Sequence, residues 1–438
     1  MSSIEQIYSE FKMEPLMPGD AKLYKGLYEK YINETQKRLS LIKKQNRKYL
    51  MFGHKGAGKS TFMNQLAVHD NIKDEFLVAR YSINEIGNPY DFTHFDLLLS
   101  LALKGAQAAI ENEITFSKDL LDEIKQMVKI LTSELEISFD EETEKKVKKG
   151  GEIKIGLPEI PFISQWLSAK VYGDLQLNDI NRQNLRKTYK VKPNELLKKI
   201  NEFLAALKEA AGKDLLFLVD DMDKMPLEIS FKLLDENRNF LEKPLANIIY
   251  MIDISVACCP RFAGISTIGE TLFFPSVKIV PKPKSKQDKL KEEKESIKKN
   301  KKLLKELIFN WCPKEYIGED AVEKIIEFGG GNIRQTIRLL FNSLDYVVIE
   351  KDQTTVTIPD VERAIIKRYN EYSLNEAQRQ ILQEIANNPE WLPQREEDIT
   401  APESPFLELL NNLAIIEYRN GDKKWRYPNP VLKSLLKK

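Results

Sequence analysis

The sequence predicts an α/β fold: a parallel sheet, then a helical region, then a small C-terminal domain. Three observations carry that prediction. Short apolar runs alternate with helical stretches. The first run empties into a glycine-rich turn that opens a helix. The last sixty-odd residues read helix, helix, hairpin. The chain has 438 residues, enough for about three domains. Hydrophobic residues make up 42% and charged residues 30%. That balance excludes a disordered, collagenous or disulfide-stapled chain.

The other global features narrow the class further. The longest nearly apolar run, Ile248 to Cys259, is interrupted by Asp253 and is too short to cross a bilayer. The start lacks a basic stretch followed by an apolar one, so no signal peptide is expected. Cys258, Cys259, Cys312 and His54, His69, His94 form no metal-ligand spacing. A cytoplasmic protein without a membrane partner is expected. With 67 basic and 66 acidic residues the net charge is +1, so any basic footprint must be local.

Taken in order, residues 1–45 carry Pro15, Pro18 and Gly19, then a charged helical stretch from about Lys22 to Lys44. Lys48 to Phe52 reads as a buried strand, and Ser60 to Ala67 as a helix. Further strands are expected at Phe76 to Ile83, Leu215 to Val219 and Ile248 to Ile252, with a fifth around Phe273 to Val280. An insertion of about 92–195 separates the second strand from the third. It contains helical stretches at Asp91 to Glu111 and Ser117 to Leu135, a polar run from Asp140 to Gly151, and the apolar patch Ile160 to Ile163. Pro281 to Lys302 holds ten lysines against four acids and reads as a linker or an exposed helix. Helices follow at Leu303 to Phe309 and Ala321 to Phe328. Gly329-Gly330-Gly331 then breaks the chain, and Asn332 caps a helix running to about Val348. Thr357-Ile358-Pro359-Asp360 opens another. Helices Asn375 to Ala386 and Pro405 to Leu413 precede a hairpin across Asn420-Gly421-Asp422, a winged-helix pattern. The domains expected are a core at 1–280, a linker at 281–302, a helical lid at 303–372 and a winged helix at 373–438.

Gly53-His54-Lys55-Gly56-Ala57-Gly58-Lys59-Ser60 fits G-x-x-x-x-G-K-S between a strand and a helix, the context a P-loop requires. Its backbone N–H groups, with Thr61 following, would surround phosphate oxygens at a helix N-terminus. Lys59 supplies a charge for the β/γ-phosphates and Ser60 a hydroxyl for Mg²⁺. The apolar strand ending in Asp220 and Asp221 is the expected partner. Asp220 would hold Mg²⁺, and Asp221 would orient or deprotonate the attacking water. Asp223 reads as either a further site acid or a turn residue. No N-K-x-D or T-K-x-D sequence occurs, which favours ATP over a guanine nucleotide. Apolar groups near residues 15–25 are expected around the ring.

With Asp253 ending the fourth strand and Gly331-Asn332-Ile333-Arg334 opening a lid helix, the chain resembles the AAA+ ATPases of the origin-recognition/Cdc6 and STAND-like branch. The resemblance covers most of the chain. It implies that Asp253 takes the sensor 1 position and Arg334 the sensor 2 position, with Arg338 as the alternative. It makes Arg261 the nearest candidate for an arginine finger.

The winged helix departs from the replication-initiator pattern. Its candidate recognition helix, Ser404 to Leu413, carries Glu408 and no Arg or Lys, although Arg419, Lys423, Lys424 and Arg426 lie on the hairpin around Trp425. Two functions are therefore expected. One is a regulatory ATPase switch acting through a protein partner or self-assembly, which the resemblance places in signalling or bacterial anti-phage defence. The alternative is a DNA-binding ATPase similar to replication initiators or transposition regulators, engaging DNA through the wing and basic linker. A small-molecule kinase fits least, because lid and winged helix have no role there.

Overall fold

The computed structural model describes residues 3–41, 45–114, 186–187, 189–190, 192–282, 287–350, 353–393, 401–420 and 423–437. Five strands pair in parallel: β1 (Lys48–Gly53), β2 (Phe76–Ser82), β3 (Asp214–Asp220), β4 (Asn247–Asp253) and β5 (Glu270–Phe273). Their order is β2-β3-β4-β1-β5. Every residue of β1, β3 and β4 is buried, as near-continuous apolar strands covered on both faces require. The register sets Gly53 beside Asp253 and Ser82 beside Asp220. The carboxyl ends of four strands therefore meet along one edge, where open α/β sheets place their ligands.

The fifth strand is shorter than expected and lies earlier, ending at Phe273 instead of spanning 273–280. Phe274 N–H still donates to Phe52 O (2.7 Å), but Pro275 has no N–H for the ladder. Val277 N–H then goes to Gly331 O (2.8 Å), so the chain leaves the sheet for the helical region.

Helix His94–Glu111 also differs from expectation. It is part of the core layer, packed with helix Pro193–Ala211 against β2 and β3. Gly105 is where the two layers touch, since a Cβ there would lie 2.8 Å from Leu207 and 3.2 Å from the Phe217 ring. Ser117 to Leu135, Asp140 to Gly151 and Ile160 to Ile163 lie outside the described residues.

The lysine-rich segment is mostly helix, continuous from Gln287 to Trp311, with the expected helix at 303–309 as its end. Helices Glu319–Gly329, Ile333–Asp345 and Ile358–Asn370 complete a bundle. Asn332 caps the second through Gln335 N–H, and Thr357 with Asp360 closes a capping box on the third. The N-terminal arm crosses between the two regions. Helix Ser3–Ser9 stacks Tyr8 on Phe341 and donates Tyr8 OH to Asp345 (2.6 Å), and Tyr24 OH reaches Glu306.

Helices Glu376–Asn387 and Pro405–Asn411 precede the antiparallel pair β6 (Ile415–Asn420) and β7 (Lys423–Pro428). This C-terminal unit packs on the sheet edge that carries the glycine-rich turn, as the acidic recognition helix and the STAND-like resemblance imply.

Candidate functional site

The turn after β1 needs glycine at two points. Gly56 and Gly58 have φ of +80° and +101°, a region that side chains disfavour. Between them the backbone curls into the N-terminus of helix Lys59–Ala67. Lys59 is buried, and each of its three ammonium hydrogens has an acceptor: Gly53 O (2.8 Å), His54 O (3.0 Å) and Asp223 Oδ2 (2.8 Å). Asp223 is thus the acid that holds the lysine of the glycine-rich turn. Thr61 lines the same cavity, but its hydroxyl accepts from Leu16 N–H (3.2 Å) on the N-terminal arm.

Ser60 Oγ donates to Asp220 Oδ1 (3.1 Å), bringing together the two groups expected at a magnesium ion. A hydroxyl and a carboxylate oxygen at this distance suit a hard cation that keeps water and phosphate ligands. Among the described residues no cluster of three or more His, Cys, Asp or Glu could hold a metal by itself. Asp220 also accepts from Arg80 (2.6 Å). Burial, and then the neighbouring Asp221 charge, push its carboxyl up to about 6 despite that arginine.

Asp221 is different. It sits at φ +68°, rare for a non-glycine residue, and caps the short turn Met222–Lys224. Its carboxylate accepts from Ser82 Oγ (2.6 Å) and Asn84 Nδ2 (2.9 Å) and pairs with Lys224 (2.8 Å). Burial would raise its pKa, but Lys224 and Ser82 outweigh burial and keep it below the usual carboxylate range. Two adjacent acids are therefore driven in opposite directions by their surroundings.

A cavity of about 210 Å³ opens beside these groups. Gly56, Gly58, Lys59, Ser60, Asp221 and Arg334 form its polar end. Pro15, Leu16, Tyr24, Tyr28, Leu307 and Trp311 form its apolar end. Residues 15–25 do supply part of that end, together with the C-terminal turns of helix Gln287–Trp311. Arg334 N–H donates to Gly56 O (2.9 Å) and Asn332 Nδ2 to Lys55 O (2.9 Å), so the helical bundle closes directly on the turn. The Arg334 guanidinium faces this cavity with no acceptor among the described residues.

Two other residues of the turn are turned toward the C-terminal unit. His54 is fully buried, and its Nε2 accepts from Glu417 N–H on β6 (2.7 Å). Burial pushes His54 down to about 4, so it is neutral at physiological pH. Lys55 Nζ donates to Asn411 Oδ1 (2.7 Å) and lies 3.6 Å from Asp253 Oδ2. Asn411 Nδ2 donates to that same Asp253 oxygen (3.1 Å), while Ser255 N–H takes the other (2.7 Å). Burial raises the Asp253 pKa, and Lys55 works against that shift. Behind this contact, Ser255 Oγ donates to Leu407 O (2.9 Å) from the helix after β4.

Other residues singled out in the sequence are engaged outside the cavity. Arg338 pairs with Glu371 (3.0 Å) on the bundle surface, away from the cavity. Arg261 pairs with Asp235 (2.7 Å) and lies over the Phe231 ring (4.4 Å), so it is tied down within its own chain. Of the four wing cations, Lys423 and Lys424 are exposed and the two arginines are not free. Arg419 and Arg426 both pair with the buried Glu417 (2.6 and 2.7 Å), and Trp425 is wholly buried. Sequence reasoning missed Arg80, Ser82, Asn84 and Asn411. The first three carry a readable signal, since they follow the apolar run of a strand adjoining the acid-tipped one. Asn411 carries none, because its role depends on how two domains dock.

No family model matches the chain, and no curated protein matches it. Among solved structures, the Orc1 protein of Aeropyrum pernix in complex with DNA is similar at 10% identity and TM-score 0.41, covering 98% of this chain and 95% of that one. Cdc6p from Pyrobaculum aerophilum is similar at 10% identity and TM-score 0.39, covering 99% and 98%. The RuvB Holliday junction branch migration motor of Thermotoga maritima is similar at 12% identity and TM-score 0.38, covering 97% and 98%.

Proposed function

We propose that the chain is an ATP-binding and hydrolysing switch of the AAA+ kind, in which the C-terminal unit reports the state of the nucleotide site. One observation carries this reading: the helix that would read DNA is packed on the ATPase core. Phe406, Leu407, Leu409 and Leu410 of helix Pro405–Asn411 are buried, and Leu407 O is bonded to Ser255. Glu408 is the helix's exposed charge and accepts from Gln378 (2.9 Å). The two wing arginines are spent inside the interface on Glu417. That leaves Lys423 and Lys424 as the wing's exposed cations, a small footprint for a phosphate backbone.

Within the site, Lys59, the turn's backbone N–H groups and the free Arg334 guanidinium bind the phosphates. Ser60 and Asp220 hold Mg²⁺, which when bound neutralises developing phosphate charge. Asp221, kept ionised by Lys224, Ser82 and Asn84, orients the attacking water. Closure needs contacts that differ between nucleotide states, and Arg334 on the bundle is placed to make one. A part in signalling or anti-phage defence rests on the resemblance alone.

The test combines phosphate release with fluorescence anisotropy of a labelled mixed-sequence duplex at two salt concentrations, with and without ATP. ATP turnover that Lys59→Ala abolishes, with no salt-sensitive duplex binding, is the expected result. ATP-dependent duplex binding that falls steeply with salt would replace the switch by a DNA-engaging ATPase.

A further inference from the structure

The polar triangle Lys55–Asp253–Asn411 joins the phosphate turn, the end of β4 and the C-terminal unit. Asn411 uses both ends of its amide there, accepting from Lys55 and donating to Asp253. Asp253 is almost wholly buried and its carboxylate is fully engaged by Ser255, Asn411 and Lys55. Lys55 keeps 31% of its side-chain surface exposed and lines the cavity. It is the one member of the triangle that an anion in the cavity can reach. His54, its neighbour, is committed to Glu417, so the backbone beneath Lys55 is anchored to the same unit.

We infer that Asn411 is a positioning residue that withholds the Lys55 ammonium from the terminal phosphate, so that docking of the C-terminal unit and binding of a nucleoside triphosphate compete for one cation. This rests on the ATP-binding reading above and adds to it the residue through which the phosphate is felt. The ammonium has three hydrogens but points along one stem. Turning it toward a terminal phosphate breaks the 2.7 Å bond to Asn411 and leaves Asp253 with one partner fewer in a buried site. Those losses fall on the C-terminal contact. Because coupling between sites is reciprocal, the bound triphosphate weakens the docked contact by the same factor as the docked contact weakens triphosphate binding. A variant that loses the contact therefore binds triphosphate more tightly. A diphosphate lacks the competing group and is nearly indifferent.

The test measures dissociation constants of the full chain for ADP and for a non-hydrolysable ATP analogue, with magnesium. The chains are the unaltered protein, Asn411→Ala, Lys55→Met and the double variant. Asn411→Ala is expected to tighten the triphosphate analogue about fivefold or more, the lower end of ordinary coupling, and to change ADP less than twofold. In the Lys55→Met background the same substitution should have no effect. Asn411→Ser, too short to span both partners, should repeat the alanine result and guard against a misfolded variant. Unchanged or weaker triphosphate binding in Asn411→Ala, equal tightening of both nucleotides, or an effect that survives Lys55→Met overturns the inference while leaving ATP binding intact. Failure of the unaltered chain to bind either nucleotide overturns both.

Discussion

Among single residues, the two adjacent acids Asp220 and Asp221 have pKa values shifted in opposite directions because their surroundings differ. Asp221→Asn keeps its shape and loses its charge, so ATP should still bind while turnover falls by about 100-fold or more. Titration calorimetry set against phosphate release checks this, and a matching loss of affinity would make Asp221 structural. His54 provides a second measurement. Its folded pKa, near 4, lies below the usual value of about 6.5. The stability it contributes is therefore full above pH 6.5 and lost as pH falls toward 4, by about 3 kcal/mol at most. Asp220 runs the other way, because its pKa is raised to about 6 and its protonation in that window favours the folded state. The bare slope mixes both. The informative quantity is the difference from His54→Gln, which keeps an acceptor for Glu417 N–H and does not titrate. The stability gap between the two proteins should change between pH 7.5 and 5, and a constant gap would mean that His54 is not buried neutral. The glycine-rich turn and the acid-tipped strand were legible because each follows a fixed spacing of residue types between a strand and a helix or turn. Asp223 was only half legible, since an acid in a turn looks the same whether or not a lysine leans on it.

Secondary-structure elements were mostly legible too, and the misses share a cause. β1 to β4 and the capped helices declared themselves by apolar runs and by side chains that satisfy free N–H groups. The fifth strand was misplaced because Pro275 and the Gly331 contact, rather than hydrophobicity, decide where it stops. Helix His94–Glu111 looked like the start of an insertion, yet its apolar face belongs to the sheet. At this scale Glu417 on β6 matters most. Its side chain is wholly buried between Arg419 and Arg426, and Arg419 also lies over the Phe52 and Phe273 rings (4.9 and 4.3 Å). Burial would raise the Glu417 pKa, but Arg426 and Arg419 hold it down at about 2. Glu417→Gln leaves two guanidinium groups without their counter-charge, so unfolding free energy should drop by about 3 kcal/mol or more in a denaturant titration. A loss below about 1 kcal/mol would mean that water compensates the arginines.

For the molecule as a whole, sheet, bundle and C-terminal unit all converge on the turn at residues 53–60; the resemblance implies that convergence, but the contacts that make it are not legible in the sequence. Docking of one domain on another depends on surfaces whose partners lie hundreds of positions away. If nucleotide state moves the C-terminal unit, protease cleavage near residues 371–375, where bundle and unit join, should differ several-fold between ADP and a non-hydrolysable ATP analogue. Identical digestion would fix the unit in place and leave the triangle a static strut. The N-terminal arm adds a constraint of another kind. It is made before the bundle, yet Tyr24 and Tyr8 bond to Glu306 and Asp345. β1 in turn lies between β4 and β5 and waits about two hundred residues for both neighbours. At roughly 5–20 residues per second, the wall of the cavity formed by the arm cannot be completed until tens of seconds after the arm itself was made. For that interval a nascent chain already carries the glycine-rich turn and Lys59, while Arg334 and the bundle's side of the cavity wall are still to be made.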